Sequence, residues 1–449
     1  MNRVHEPIVS TGSLENTILR GVKPYGGPAR DVTIRNGRIA QVAPPVEPLY
    51  DGTDVDAVGL VLLPGLIDLH THLREPGGDA AETIRTGTRS AAAGGFTDVY
   101  AMANTSPVTD TAARVRAVRT LAATGASARV HPVGAITVGL RGEQLAALTE
   151  MRDAGAYLFS DDGKCVDDAG LMFRALNIAA HHDLVLAQHA QLGQIAAKGQ
   201  INAGCVAEKT GLAPWHAAAE ETVIARDAIL AGHAGARLHI CHISTRGSVE
   251  VIRWAKSQGW AVTCEVTPHH LLLTDELAAL SDPKYKVNPP LRSTDDVAAL
   301  RQALLDGTID AVATDHAPHT ADSKAHQWCD APFGMAALET ALAVAARVLT
   351  ETADTNWSLL ARLMSSNPAR IGGIPDIAGR PLTEGEPATF CVVDPAGNWS
   401  VDATGFYGKA TNSPFIGETF QHQVVATAID GHVTHTTAPF GQVLLRKTR

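Results

Sequence analysis

Two histidines one residue apart, His70 and His72, lie inside the stretch GLIDLHTHLREPG that ends at Gly77. The apolar residues before them, Leu60–Leu63 and Leu66–Leu69 with a Pro64–Gly65 step between, read as a buried strand. Alternate side chains of a strand share a face, so both imidazoles point the same way, which is how a metal site begins. Arg74 falls on that face just past the strand end, where it could hold an anionic substrate. Alone, such a pair is more often two ordinary core histidines, and its neighbours further along the chain decide between the readings.

The elements that must position these residues recur from about residue 60 to residue 318. Strand candidates are Leu60–His70, Phe96–Met102, Val130–Ile136, Ala156–Ser160, Leu184–His189, Ala236–Ile243, Trp260–Val266 and Ile309–Thr314. Helical patterns separate them, among them ETIRTGTRSAAAG, EQLAALTEMRDAG and AGLMFRALNIAAHH, several ending at Gly. Eight strands each followed by a helix or long connection predict a (β/α)8 TIM-type barrel. Both chain ends show strand alternation with Gly-rich turns, Thr17–Val42 and Ala388–Val433, and neither holds enough strand for a stable sheet alone. They are expected to meet in one small β-sandwich domain, giving residues 1–62 and 375–449 to that domain and 63–374 to the catalytic barrel. Two long connections, Ala190–His216 and Thr267–Asp295, are candidate active-site loops.

Function in such a barrel sits at the C-terminal strand ends. There the sequence offers His70, His72 and Arg74; Asn104; Asp161 and Asp162; His189; His239 and His242; and Asp315, His316 and His319. Four or more imidazoles and two or more carboxylates around one rim predict a metal centre. Imidazole and carboxylate without thiolate suit Zn2+. The donors exceed what one catalytic zinc needs, so two ions about 3.5–4 Å apart and sharing a carboxylate fit better. Such a pair makes hydroxide available near neutral pH, and hydrolysis is the expected reaction class.

The segments DLHTHLREPGG, MANTSP, FSDDG, CHIST, EVTPHHLLL, KVNPPLR, DGTIDAVATDHAPH and APFGMAALET resemble, in order, those of the bacterial type I dihydroorotases of the amidohydrolase superfamily. The resemblance implies a reversible zinc-dependent hydrolysis of the cyclic amide dihydroorotate to N-carbamoyl-L-aspartate in pyrimidine synthesis. It implies two Zn2+ per chain, bridged by Asp162 and a hydroxide, with His70, His72 and Asp315 on the first ion and His189 and His242 on the second. Spacing leaves Asp161 and Asp162 undecided; the family match favours Asp162, as it favours His242 over His239. Asp315 would also carry the proton from the attacking water to the leaving nitrogen. Arg74, Asn104 and His319 would hold the substrate carboxylate, Asn288 the ring amide, and Phe333 and Gly334 would add contacts. The related dihydropyrimidinases and allantoinases place a carboxylated lysine on strand four, where this chain has none before Lys164. AQHAQ, at the strand-five histidine, stands where the family more often has AHCE.

Composition fits this reading. The net charge of −10, from 37 basic and 47 acidic residues, argues against nucleic acid or an anionic membrane as partner. Six scattered cysteines without a CxxC pair suggest a reducing compartment, and a cytoplasmic protein is expected. A small-molecule substrate, homo-oligomerisation and aspartate carbamoyltransferase as a candidate partner complete the expectations. The competing readings are another cyclic-amide hydrolase and a catalytically silent scaffold subunit that resembles a dihydroorotase.

Overall fold

A computed structural model describes residues 9, 11–45, 52–350 and 354–437. Eight parallel strands form the barrel: Leu66–Thr71, Phe96–Ala101, Arg129–Pro132, Leu158–Phe159, Val185–Gln188, Arg237–Ile240, Val262–Val266 and Ala311–Val312. The first three pair in one ladder and the last five in another. Parallel bridges Gly134↔Phe159 and Thr71↔His316 join the two ladders and close the ring. The expected helix over EQLAALTEMRDAG is shorter than its pattern, covering only Leu148–Asp153.

Helices begin where side chains can satisfy their first free N–H groups. Thr83 and Ser293 form capping boxes with Thr86 and Asp296, and Asp168 and Thr245 accept from Leu171 N–H and Ser248 N–H. Leu66, Phe96, Val99, Leu186, Leu238 and Val262 pack the strands against the helical layer, with Ile84, Val115, Leu171, Ile224 and Ile252 facing them. At the N-terminal end, Ile371 and Ile374 pack against Ile67, Leu69, Tyr100 and Ala311, and Ser365 Oγ donates to Gly65 O at 2.7 Å. That end is therefore a plug, and chemistry is confined to the opposite rim.

Strands from both chain ends share one nine-stranded sheet. Phe390–Asp394 lies at its centre, between Val61–Pro64 and Gln423–Ile429. Leu19, Val32, Ile34, Leu62, Phe390 and Val392 fill its core. The run read as a single strand from Leu60 to His70 is two strands in different sheets. Val61–Pro64 pairs with Phe390–Val393, and the barrel strand starts at Leu66. Gly65 is the switch: a Cβ there would stand 2.3 Å from Thr97 Oγ1, so only glycine lets the chain cross so close to the second barrel strand. Both long connections carry structure of their own, including the pairing of Ile201–Asn202 with Pro214–Trp215 and the helix Pro268–Leu272.

Candidate active site

Each chemistry-bearing side chain leaves the barrel at the C-terminal end of a strand. His70 lies in the first strand and His72 follows it, fixed by its N–H donating to His316 O at 2.8 Å. Asp162 follows the fourth strand, His189 the fifth, His242 the sixth and Asp315 the eighth; all six side chains are buried. His242, Asp315 and Arg74 adopt left-handed backbone, with φ of 31°, 45° and 61°. Such conformations cost about 1–3 kcal/mol each and persist where the surroundings enforce them, here turning side chains inward over the rim.

Asp162 sits at the centre of the group. Its Oδ1 lies 3.2 Å from His70 Nε2, 3.2 Å from His189 Nδ1 and 3.5 Å from His242 Nε2, and its Oδ2 lies 3.3 Å from His72 Nε2. Asp315 Oδ1 is 3.0 Å from His72 Nε2 and 3.4 Å from His70 Nε2. Ligands held at about 2.0–2.1 Å around a tetrahedral ion lie roughly 3.3 Å from one another, so this crowding is that of donors sharing ions. His70 Nε2 is buried yet makes no hydrogen bond among the described residues, a loss that a metal would make good. Two triads share Asp162: His70, His72 and Asp162 on one side, and Asp162, His189 and His242 on the other. A further cluster, His70 with Cys241 and Glu265, lies behind, but burial pushes the Cys241 thiol up to about 12 and keeps it protonated.

Opposite charges set the electrostatics. Burial alone would neutralise Asp162, yet the His70 charge and hydrogen bonds from His189 and His242 hold its pKa well below the usual carboxylate range. Asp315 is likewise held low against burial, by His70 and His72. His72 goes the other way, its pKa lowered by burial and by the Arg74 charge despite the Asp315 hydrogen bond.

Outer contacts fix the ring orientations. His70 Nδ1 lies 2.8 Å from Glu265 Oε1, His72 Nδ1 lies 2.9 Å from Asn104 Oδ1, and His189 Nε2 lies 2.8 Å from Gln191 Oε1. Glu265 escaped the sequence reading, although a lone carboxylate inside the apolar run VTCEV was a signal for it. Its Oε2 engages His239 Nε2 at 3.0 Å, which keeps His239 away from the centre. Asp161 is also spoken for: it accepts from Ile136 N–H at 2.8 Å, Thr137 N–H at 3.0 Å and the Thr137 hydroxyl. Of the two adjacent carboxylates, then, Asp162 faces the histidines and Asp161 braces the loop after the third strand.

The residues expected at the substrate make the following contacts. Arg74 Nε donates to Pro318 O at 3.1 Å, and among the described residues its guanidinium forms no ion pair. His319 Nε2 donates to Phe333 O at 2.7 Å; burial and the Arg74 charge push its pKa down to about 3, so the ring is neutral. Asn104 meets His72 instead of standing free, with its amide 3.4 Å from Asp162 O. Asn288 Nδ2 donates to Gln191 Oε1 at 2.9 Å. Gly334 has φ +133°, and a Cβ there would stand 2.9 Å from His319 Nε2, which requires glycine at that turn. Asn412, given no role by the sequence, clamps the loop by accepting from His319 N–H and donating to Ala317 O and Gly334 O, each at 3.1 Å.

A parallel barrel with imidazoles and carboxylates gathered at one rim beside an arginine defines the metal-dependent amidohydrolase class. Solved structures agree on the fold. The L-hydantoinase (dihydropyrimidinase) of Arthrobacter aurescens is similar with TM-score 0.81 and 26% identity over 93% of this chain and 96% of its own. Dihydropyrimidinase of Brevibacillus agri is similar with TM-score 0.77 and 22% identity over 93% of this chain and 94% of its own. Sequence is more specific. A family model described as dihydro-orotase-like matches residues 59–248. The dihydroorotase of Leifsonia xyli subsp. xyli is 51% identical over 94% of this chain and 96% of its own length. The Streptomyces coelicolor and Mycobacterium tuberculosis dihydroorotases are 50% and 47% identical, over 94% and 93% of this chain and 98% of their own lengths. The chain belongs to the dihydroorotase family. It is a hydrolase of cyclic amides, and its family is metal-dependent. No helix among the described residues is long and apolar enough to cross a membrane.

Proposed function

We infer that the chain hydrolyses (S)-dihydroorotate reversibly to N-carbamoyl-L-aspartate, using two zinc ions. His70, His72 and Asp315 would hold one ion, His189 and His242 the other, and Asp162 would serve both. The observation that carries this reading is the single carboxylate of Asp162, within 3.2–3.5 Å of a nitrogen on each of the four histidines. Ions bound there supply Lewis acidity toward the scissile carbonyl and acidify the attacking water.

The protein's own groups do the rest. Arg74 is free of any carboxylate among the described residues and offers a planar fork that matches the carboxylate on the substrate ring. Neutral His319 and the Asn104 amide would assist it, Asn288 would bind the ring amide, and Phe333 and Gly334 would line the same side. Asp315, held ionised, is the base that takes the proton from water and returns it to the leaving ring nitrogen. The Arg74 arrangement favours a carboxylated ring over the uncharged rings of other cyclic-amide hydrolases, and a full donor set disfavours a silent scaffold. The family resemblance extends the reading to a homo-oligomer with aspartate carbamoyltransferase as its candidate partner.

The test is dihydroorotate turnover with metal content measured before and after chelation. Loss with the chelator and recovery on adding Zn2+ are expected, at about two ions per chain. Turnover that survives complete metal removal, or a preference for dihydrouracil over dihydroorotate, overturns the reading.

A further inference from the structure

We propose that Gln191 is a positioning residue: one atom, its side-chain Oε1, fixes the His189 imidazole and ties it to Asn288 on the substrate side. The proposal rests on the two-ion reading above.

Gln191 stands two residues past His189, where the chain leaves the fifth barrel strand, and its side chain turns back to the imidazole. Oε1 lies 2.8 Å from His189 Nε2 and 2.9 Å from Asn288 Nδ2. An amide oxygen has two lone pairs and can accept both hydrogen bonds at once. Accepting from Nε2–H places the imidazole proton on the outer nitrogen. Nδ1, 3.2 Å from Asp162 Oδ1 and 2.9 Å from His242 Nε2, then presents its lone pair to the centre. The same logic holds His70 through Glu265 and His72 through Asn104, each ring giving its outer N–H to a side-chain oxygen.

Gln191 differs from Glu265 in two respects. It is neutral, so it orients the ring without a full negative charge behind it. Its second lone pair reaches a residue of another loop, whereas Glu265 engages only buried histidines. The Asn288 loop is also anchored at Lys286, which donates to Trp328 O and Ala331 O, at Pro289, whose O lies 3.0 Å from His270 Nε2, and at Arg292, which donates to Ser244 Oγ at 3.0 Å and Asn202 Oδ1 at 2.9 Å; none of these reaches the four histidines. Gln191 is thus the link, among the described hydrogen bonds, from Asn288 to the histidine centre. Its loss should loosen metal and substrate together.

The experiment uses Gln191→Met, which keeps length but removes the acceptor, and Gln191→Glu, which keeps the acceptor. The metal-free full chain is titrated with Co2+, followed by its visible d–d absorbance, beside thermal unfolding of the same metal-free samples. Gln191→Met should weaken the second Co2+ equivalent by about 10–100-fold with an unchanged metal-free Tm, and Gln191→Glu should restore it. With zinc present, Gln191→Met should raise KM for dihydroorotate several-fold, and combining it with Asn288→Ala should give less than the product of the two single effects. Unchanged Co2+ affinity in Gln191→Met, failure of Gln191→Glu to restore it, or fully multiplicative KM effects overturns the proposal. A wild-type chain that takes up at most one ion overturns the two-ion reading itself, and this proposal with it.

Discussion

Glu265 and His70 face each other across the barrel from the seventh strand to the first, with Oε1 2.8 Å from Nδ1. Burial opposes a charge on Glu265, but hydrogen bonds from His239 and His70 bring its pKa down to about 2, so it is a fixed anion. With an ion at the centre, the anion would keep the His70 proton on Nδ1 and turn the Nε2 lone pair toward that ion.

Glu265→Gln keeps the shape and removes the charge. Metal affinity should fall by about 10–100-fold, measured by competition with a chelator. Turnover at saturating zinc should drop much less than turnover at limiting zinc. Equal losses under both conditions would mean that Glu265 acts on the chemistry and not through His70.

Asp315→Asn separates proton transfer from metal binding. Asparagine still offers an oxygen beside His72 but accepts no proton. The rate should fall about 10²–10⁴-fold while much of the metal remains, as read by elemental analysis of the purified variant. Near-normal turnover would remove Asp315 from the proton path.

Arg74→Lys retains the charge and loses the fork. KM for dihydroorotate should rise about tenfold or more, with little change for dihydrouracil if that ring is turned over at all. Losses of equal size on both substrates would place Arg74 in support of the metal donors, through its proximity to His72.

Much of this was legible because a barrel obliges its chemistry to sit at strand ends. His70, His72, His189, His242 and Asp315 each close an apolar run, and the structure draws the four histidines around Asp162, with Asp315 against His70 and His72. What stayed hidden depends on partners distant in sequence. Spacing does not separate Asp161 from Asp162; the amides of Ile136 and Thr137, about 25 residues earlier, claim the first and leave the second to the histidines. The division of Leu60–His70 into two strands depends on the closeness of Thr97 to Gly65, and hydropathy carries no trace of that approach. Asn412 works through three loop contacts that no local pattern announces.

Glu339 gives the structure a pH signature separate from catalysis. Burial pushes its carboxyl up to about 7, against hydrogen bonds from Ser90 Oγ at 2.8 Å and Tyr407 N–H at 2.9 Å. An unfolded glutamate titrates near 4.5. Between those values the folded chain holds a proton that the unfolded chain has released, so this group makes stability fall as pH rises from about 4.5 to about 7. Below the window both states are protonated and the group contributes no slope; above it the penalty is complete. Glu339→Gln preserves an acceptor for Ser90 Oγ and the Tyr407 and Gly408 amides and removes the titration. The Tm difference, variant minus wild type, should therefore be smallest near pH 4.5, grow through pH 7 and level off above it, reaching on the order of a few degrees. Thermal unfolding of both proteins across that range checks it. A flat difference would mean that the Ser90 and main-chain hydrogen bonds offset burial and keep Glu339 ionised throughout.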